Sequence, residues 1–206
     1  LYCIAKYRLA TQWSSDSTVE LKQCLAGRKP IETEKRRDLT GLEFVSIDAA
    51  KTQDIDDALY AEISSDGWTL FVAIADPTAY ISAGSNLHRD VASRGTTIYF
   101  HGDVLPMLPE ELGQGACALA EGVDRAALVC KVAISDSGEV GEFEFIEATV
   151  RSRAKLSYYA VDRYLTEPER SAAEKLFGLV RRKDDLDFHA AKQGVLKAWL
   201  FAHISL

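Results

Sequence analysis

The sequence predicts an α+β fold, in which a mixed or antiparallel β-sheet forms the core and helices pack on it. Segments with strand-like patterns follow one another between residues 42 and 150, and helical patterns dominate after Tyr158. This grouping differs from the regular strand–helix alternation of parallel βαβ proteins. The 206 residues, of which 47% are hydrophobic and 27% charged, are enough for one domain of ordinary size with its own core.

The first part of the chain contains few regular patterns. Residues 1–7 are expected to form a strand or the start of a helix, and a short helix is expected around Val19–Ala26. The charged run 34–38 is predicted to be a solvated connector. We therefore expect residues 1–37 to be an upstream remnant with a connector, and residues 38–206 to form the main domain.

The first strand of the main domain is predicted at Phe44–Asp48. Its side chains alternate between two faces, so Val45 and Ile47 are expected to face the core while Ser46 and Asp48 face the other way. A turn of polar residues follows and is expected to bring the next aspartates back towards Asp48.

Two β-hairpins are predicted further along the chain. Each pairs two apolar runs across a short turn of Ser, Asp and Gly residues: 59–63 with 68–75, and 128–134 with 141–150. Both faces of the run 68–75 are largely apolar, which is typical of a buried strand.

A short helix is predicted between Ser85 as its N-cap and Gly95 at its C-terminal cap. The segment 96–100 is expected to be extended. The segment 104–109 is expected to be non-regular, because it contains two prolines.

The chain is predicted to become helical after Tyr158. Residues 166–169 fit a capping box. Apolar residues then follow at helical spacing, and a last amphipathic segment is expected near the end of the chain (Ala173, Leu176, Phe177 and Val180; then Leu196, Trp199, Leu200 and His203).

Four aspartates lie within the ten residues that begin at the end of the first strand: Asp48, Asp54, Asp56 and Asp57. Carboxylates this crowded repel one another and raise one another's pKa unless they are paired. Hard divalent cations placed among them would keep all four ionised. Aspartate is also common in solvated turns, so the spacing alone leaves a metal site and an acidic surface loop equally open.

Two other kinds of site can be tested on the residues themselves. An EF-hand loop needs a glycine turn, but Ala58 and Leu59 stand where that turn would come. An aspartyl-nucleophile phosphatase would place its Asp-x-Asp pair directly after an apolar strand, whereas Asp54 follows polar residues at 51–53. Neither reading fits the sequence well.

Charge and cysteine usage restrict the class of protein. The net charge of −7 and the pI near 5.2 do not indicate a general nucleic-acid binder, so such contacts would rely on local basic patches or on metal ions that bridge to phosphate. The four cysteines lie far apart, which argues against a disulfide framework or structural zinc and fits the reducing cytoplasm. No apolar run reaches the ~18 residues that span a membrane.

Six short motifs in order over residues 38–165 resemble the ribonuclease II/R family of exoribonucleases. They are Phe44-Val45-Ser46-Ile47-Asp48, Asp54-Ile55-Asp56-Asp57-Ala58-Leu59-Tyr60-Ala61, Val72-Ala73-Ile74-Ala75-Asp76-Pro77-Thr78-Ala79-Tyr80-Ile81, Gly95-Thr96-Thr97-Ile98-Tyr99, Leu105-Pro106-Met107-Leu108-Pro109 and Arg153-Ala154-Lys155-Leu156-Ser157-Tyr158. The resemblance implies that residues 38–206 are part of a ribonuclease II catalytic domain.

The resemblance also implies an activity and its residues. The family hydrolyses single-stranded RNA processively from its 3′ end and releases nucleoside 5′-monophosphates by a two-metal mechanism. In that scheme Asp56 is the residue most essential to the chemical step. The metal ligands, for Mg²⁺ or in its place Mn²⁺, are Asp48, Asp54 and Asp57. The implied partner is single-stranded RNA, and neither DNA nor a membrane is expected.

Aromatic and basic residues complete the expected site. By resemblance, Tyr99 and Tyr158 hold the last nucleotides of the RNA, because stacking on an aromatic ring tolerates any base. Arg151, Arg153 and Lys155 alternate along one strand and would either line an RNA channel or form a solvated face. Asp76, which precedes a proline, is expected to be a turn residue rather than a ligand.

The sequence departs from the family at one motif. The family's downstream Thr-Ser-Pro-Ile-Arg-type motif, whose arginine offsets charge on the phosphate, does not occur in these 206 residues. Three hypotheses about the function of this chain therefore stay open. The first is a magnesium-dependent 3′→5′ exoribonuclease, and the second is a catalytically inactive RNA-binding relative or fragment. The third is a different metal-dependent phosphohydrolase that acts on small nucleotides.

Overall fold

A computed structural model describes residues 2–26, 35–100 and 103–166. The helices are α1 Tyr2–Tyr7, α2 Ser15–Ala26, α3 Asn86–Arg94 and α4 Tyr158–Thr166, with a 3₁₀ turn at Pro77–Ala79 and a π-helix at Glu111–Ala116. The strands are β1 Arg37–Asp38, β2 Phe44–Asp48, β3 Asp57–Ser64, β4 Gly67–Ala75, β5 Ile98–Phe100, β6 Asp103–Leu105, β7 Asp124–Ser135 and β8 Val140–Ser157. The helical patterns predicted from residue 167 onwards lie outside the described residues.

The main sheet closes on itself through its longest strand. Strands β2, β3, β4 and β7 pair in that order, and all these neighbours are antiparallel. The first part of β8 pairs antiparallel with β7, and its last residues pair parallel with β2. Strand β1 lies beside β8 as well, next to Ala148 and Thr149. The mixed sheet with helices on it confirms the predicted α+β class.

Both predicted hairpins form, and the first has the shortest connection. In that hairpin Ser64 is opposite Gly67, which leaves a two-residue turn. Gly67 has a φ of +135°, and a Cβ there would lie 2.2 Å from the carbonyl oxygen of Ile134 on the neighbouring strand. Only glycine fits this position, because a side chain would meet both backbone strain and a backbone atom.

One face of the sheet forms the core. Ala58, Ala73, Val129 and Ile146 lie opposite one another on four adjacent strands, and all four are buried. This row therefore belongs to the buried core of the sheet. Helix α2 packs on α3, whose first turn donates backbone hydrogen bonds to the carboxylate of Glu20.

The predicted caps of α3 are confirmed. The Ser85 hydroxyl accepts a hydrogen bond from the backbone N–H of His88 at 3.0 Å. Gly95 ends the helix in the left-handed region with a φ of 69°, and its N–H donates to Val91. No helix within the described ranges is long and apolar enough to cross a membrane.

The orientation predicted for the first strand was wrong. Phe44 and Ser46 are the buried residues of β2, whereas Val45 and Ile47 are half-buried. Hydrophobicity alone predicted the opposite orientation. The side chain of Phe44 is buried in the core, and Ser46 and Asp48 lie on the same face of the strand as Phe44. The strand therefore points a polar pair into the protein.

Two further predictions need correction. Val104 and Leu105 were expected to be non-regular, but they belong to β6, which pairs with β5 and ends just before Pro106. Proline restricts the residues around it but does not prevent a strand that stops there. Arg36 was expected in a solvated connector, but its side chain is only 5% exposed because it pairs with a buried carboxylate.

Candidate active site

The four aspartates lie at the junction of β2 and β3. Asp48 ends β2 and Asp57 begins β3, while Asp54 and Asp56 lie in the loop between them. The two strands are antiparallel, with Val45 opposite Leu59, so the strand ends that carry Asp48 and Asp57 lie side by side. The structure therefore gathers residues that are up to nine positions apart in the sequence.

Backbone hydrogen bonds hold the centre of this loop in place. The N–H of Leu119 donates to the carbonyl of Ile55 at 2.9 Å, and the N–H of Ala75 donates to the carbonyl of Asp56 at 2.7 Å. Ile55 lies between Asp54 and Asp56 in the sequence, and its side chain is buried in the core. The loop thus lies against the end of β4 and against the segment after the π-helix.

The carboxylates influence one another's ionisation. Burial raises the pKa of Asp56 to about 6, with further contributions from Asp54, Asp57 and Asp48. Burial also raises the pKa of Asp54, and Asp48 adds to this effect. Asp56 keeps access to solvent, yet it lies in a concave site where neighbouring atoms displace much of its water. A cation bound among these carboxylates would offset their repulsion and favour their ionised forms.

The donor atoms present fit a hard divalent cation in their chemistry. The buried Oδ2 of Asp48 and Oγ of Ser46 have no hydrogen-bond partner among the described residues, which is costly unless another group satisfies them. Carboxylate and hydroxyl oxygens are the ligands that Mg²⁺ and Mn²⁺ prefer. Within the described ranges, however, no three His, Cys, Asp or Glu side chains converge closely enough to form a complete metal site.

A cavity of about 300 Å³ opens beside the acidic loop. Asp54 and Asp56 form one wall, and Pro106, Met107 and Leu108 form an apolar wall. The chemistry of this cavity suits a ligand with both a charged group and a flat apolar group.

The π-helix closes another side of the cavity through Gly113. A Cβ at Gly113 would lie 3.1 Å from Oδ1 of Asp54, so this position leaves just enough room for the carboxylate. Insertions of the π type are frequently found at functional sites. Sequence reasoning missed this contact, because glycine in a polar segment carries no signal for a π-helix.

The two predicted aromatic residues are exposed near the loop. Tyr99 is 73% exposed on β5, two residues after Thr97, which lines the cavity. Tyr158 is 62% exposed at the start of α4, directly after Ser157, which pairs with Asp48. Neither ring is among the residues that line the cavity.

The three basic residues of β8 contact the protein itself. The Nε of Arg151 lies 2.6 Å from Oδ1 of Asp124, and Arg153 donates to the carbonyl of Thr40 at 3.3 Å. Lys155 donates to carbonyl oxygens of the acidic loop. Asp76 has the predicted turn role, since it caps the 3₁₀ turn, and it also forms an ion pair.

Comparison with known proteins identifies the domain. The model of the RNB domain family matches residues 36–198. Exoribonuclease 2 of Mannheimia succiniciproducens is 51% identical over 146 residues, which cover 68% of this chain and 22% of that protein. Ribonuclease R of Vibrio parahaemolyticus is 40% identical over 152 residues, which cover 73% of this chain and 18% of that protein. The chain therefore spans about a fifth of the length of these relatives.

Solved structures agree with the family match. Mycoplasma genitalium RNase R in its apo form has a TM-score of 0.66 and 26% identity, over 82% of this chain and 31% of that chain. The same protein in complex with ribose methylated single-stranded RNA matches equally well. Yeast Ssd1, described as a pseudonuclease, shares the fold with a TM-score of 0.64 and 20% identity, over 74% of this chain and 20% of that chain. The chain belongs to the RNB domain family and represents part of a catalytic domain of the ribonuclease II/R type.

Proposed function

We propose that this chain is the part of an exoribonuclease that carries its acidic active-site loop, within residues 38–206. The whole enzyme would degrade single-stranded RNA processively from the 3′ end and release nucleoside 5′-monophosphates. One observation carries this proposal: Asp54 and Asp56, which belong to a cluster of four mutually repelling carboxylates, line a cavity that also has an apolar wall. A nucleotide offers both a phosphate and a flat base to such a site.

In this proposal Asp48, Asp54 and Asp57 hold divalent cations, Mg²⁺ or in its place Mn²⁺. Asp48 has a buried carboxylate oxygen without a partner in the described structure, which supports this role. When bound, such cations would act as Lewis acids that activate water and offset the charge of a phosphate. Asp56 then takes part in the chemical step, since its raised pKa of about 6 suits a group that accepts or holds a proton near neutral pH.

The tyrosines and the cavity orient the RNA end in this scheme. Tyr99 and Tyr158 stack on the last nucleotides, and the apolar wall at residues 106–108 excludes water from one side of the terminal unit. We place the protein in the cytoplasm, where the free cysteines Cys24, Cys117 and Cys130 stay reduced.

The test is incubation of the purified protein with a 5′-labelled single-stranded RNA, first with Mg²⁺ and then with EDTA. The proposal expects a metal-dependent ladder that shortens from the 3′ end, together with release of mononucleotides. Asp56→Asn should abolish cleavage and leave RNA binding nearly unchanged. Asp66→Asn, in the exposed turn between β3 and β4, is the matched control and should keep full activity. Turnover by Asp56→Asn at the normal rate contradicts the role of this carboxylate.

An inactive RNA-binding relative is the second candidate. It would keep the acidic loop but lack the family's arginine motif, which does not occur in these 206 residues. This function predicts RNA binding without product even when Mg²⁺ or Mn²⁺ is supplied in excess. A third outcome, cleavage of a mononucleotide analogue without preference for RNA, would indicate a small-nucleotide phosphohydrolase instead.

A further inference from the structure

Lys155 reaches from the long strand β8 to the acidic loop. Its neighbour in the parallel pairing is Ser46, two residues before Asp48. From this position its Nζ donates hydrogen bonds to the carbonyl oxygens of Ala50, at 3.3 Å, and of Thr52. One ammonium group thus holds two backbone carbonyls of the segment that connects the first aspartate of the cluster to the next.

The segment 49–53 needs such support. It lies outside any strand or helix, and its residues are exposed except for Thr52, which is half-buried. It contains a turn in which the N–H of Thr52 donates to the carbonyl of Ala49 at 3.0 Å. Backbone segments with few buried contacts open readily. A shift here would separate Asp48, at the end of β2, from Asp54, which follows the segment.

Hydrogen bonds from a charged donor are stronger than those between neutral groups. The two acceptors are the carbonyls of Ala50 and Thr52. Because one ammonium group binds both, it restrains the shape of the backbone between them. Lys155 itself lies in the last part of β8, where hydrogen bonding to β2 fixes the backbone beside the acidic loop. Arg153 lies on the same strand but does not hold the acidic loop. Its exposed side chain donates to the carbonyl of Thr40 instead.

We propose that Lys155 is a positioning residue, which holds residues 49–53 in the shape that keeps Asp48 and Asp54 in one site. This differs from both roles expected from its alternation with Arg151 and Arg153, which were to line an RNA channel or to form a solvated face. The inference about loop shape stands on contacts within the chain. Its consequence for cation binding rests on the proposed function.

The test compares Lys155→Met, Lys155→Arg and the control Arg153→Met in the full chain. The first readout is hydrogen–deuterium exchange of the Thr52 amide, which donates to the carbonyl of Ala49 within this segment. Lys155→Met should speed exchange there about tenfold, which is the loss expected for a charged hydrogen bond. Exchange in β7 should not change. Lys155→Arg should restore most of the protection, because its guanidinium can also donate to two carbonyls, and Arg153→Met should leave the loop unaffected.

The second readout is calorimetric binding of Mn²⁺ without RNA, where Lys155→Met should weaken the affinity about tenfold. The third is the salt dependence of binding to a single-stranded oligonucleotide in EDTA, where Lys155→Met should leave the slope unchanged. A slope that falls by about 0.7, with normal exchange in the loop, would show a phosphate contact and overturn the proposal. Faster exchange throughout the sheet would also overturn it, since the role would then be general stability.

The readouts separate this inference from the proposed function. If the wild-type chain neither binds Mn²⁺ nor cleaves RNA, the proposed function fails, while the exchange experiment still decides whether Lys155 shapes the loop. If the chain binds Mn²⁺ and Lys155→Met leaves both exchange and affinity unchanged, the positioning role is wrong and the proposed function stands.

Discussion

Arg36 and Asp76 form an ion pair that is almost fully buried behind the acidic loop. The Nη2 of Arg36 lies 2.6 Å from Oδ2 of Asp76, and the two side chains are 5% and 7% exposed. The other carboxylate oxygen accepts a hydrogen bond from the N–H of Thr78. Asp76 directly follows Ala75, whose N–H holds the carbonyl of Asp56. The ion pair therefore connects the residue before β1 to Asp76, which follows the residue that hydrogen-bonds the acidic loop.

Arg36→Met should lower the free energy of unfolding by about 3–5 kcal/mol, because Asp76 is left as a buried charge without its partner. The matched control is Arg37→Met. Arg37 pairs with Glu144 at 3.2 Å, but both side chains are more than half exposed, so its loss should cost less than about 1 kcal/mol. Urea unfolding measures both variants. Equal losses for the two would contradict the importance of the buried pair.

Asp56→Asn should stabilise the metal-free protein, because it removes one charge from a repelling cluster. The folded-state pKa of about 6 lies above the ordinary value of 3.8, so ionisation of Asp56 opposes folding at neutral pH. The gain should be largest above pH 6 and vanish as the pH falls below about 4, where the carboxyl is protonated in both states. Since Asp56 is partly solvated, we expect a rise in Tm of about 1–3 °C.

Thermal unfolding in EDTA between pH 4 and 8 checks this prediction. Asp66→Asn, which lies in an exposed turn, should show no such dependence on pH relative to wild type. A Tm of Asp56→Asn below that of wild type at pH 8 would mean that Asp56 is a net stabilising residue.

Gly113→Ala should impair catalysis without changing the fold. The added Cβ would lie 3.1 Å from Oδ1 of Asp54 and would push that carboxylate by a few tenths of an ångström. Small misplacements in an active site are expensive, so we expect kcat to fall about tenfold with little change in KM. Gly115→Ala in the same π-helix is the control, because its Cβ would meet nothing closer than 3.9 Å. Equal kcat values for the two variants would rule out this crowding.

Tyr99→Ala should weaken the binding of single-stranded RNA by about 1–3 kcal/mol, the usual contribution of one stacked base. Tyr99→Phe should bind almost normally, because stacking needs only the ring. Tyr7→Ala is the control, since Tyr7 is a similarly exposed tyrosine on α1. Fluorescence anisotropy in the Asp56→Asn background measures binding without cleavage. Loss of affinity in Tyr99→Phe as well would indicate a hydrogen bond from the hydroxyl rather than stacking.

Local patterns were sufficient to predict much of this fold. The turn at residues 64–67, the caps Ser85 and Gly95 and the apolar run of β4 all depend on neighbours a few positions away in the chain. Such signals specify an element whatever the rest of the protein does. The acidic stretch from Asp48 to Asp57 was also recognisable, because its aspartates are close together in the sequence.

Long-range packing decided the remaining features. The sequence could not show that β8 closes the sheet, that Ser46 rather than Val45 is buried, or that Arg36 pairs with a residue 40 positions away. Lys155 looked like part of a basic strand face, and only the register of β8 against β2 brings it to the acidic loop. Which residues are buried and which side chains pair depends on which distant segments come into contact. The packing of the whole folded chain decides this, and local sequence patterns do not show it.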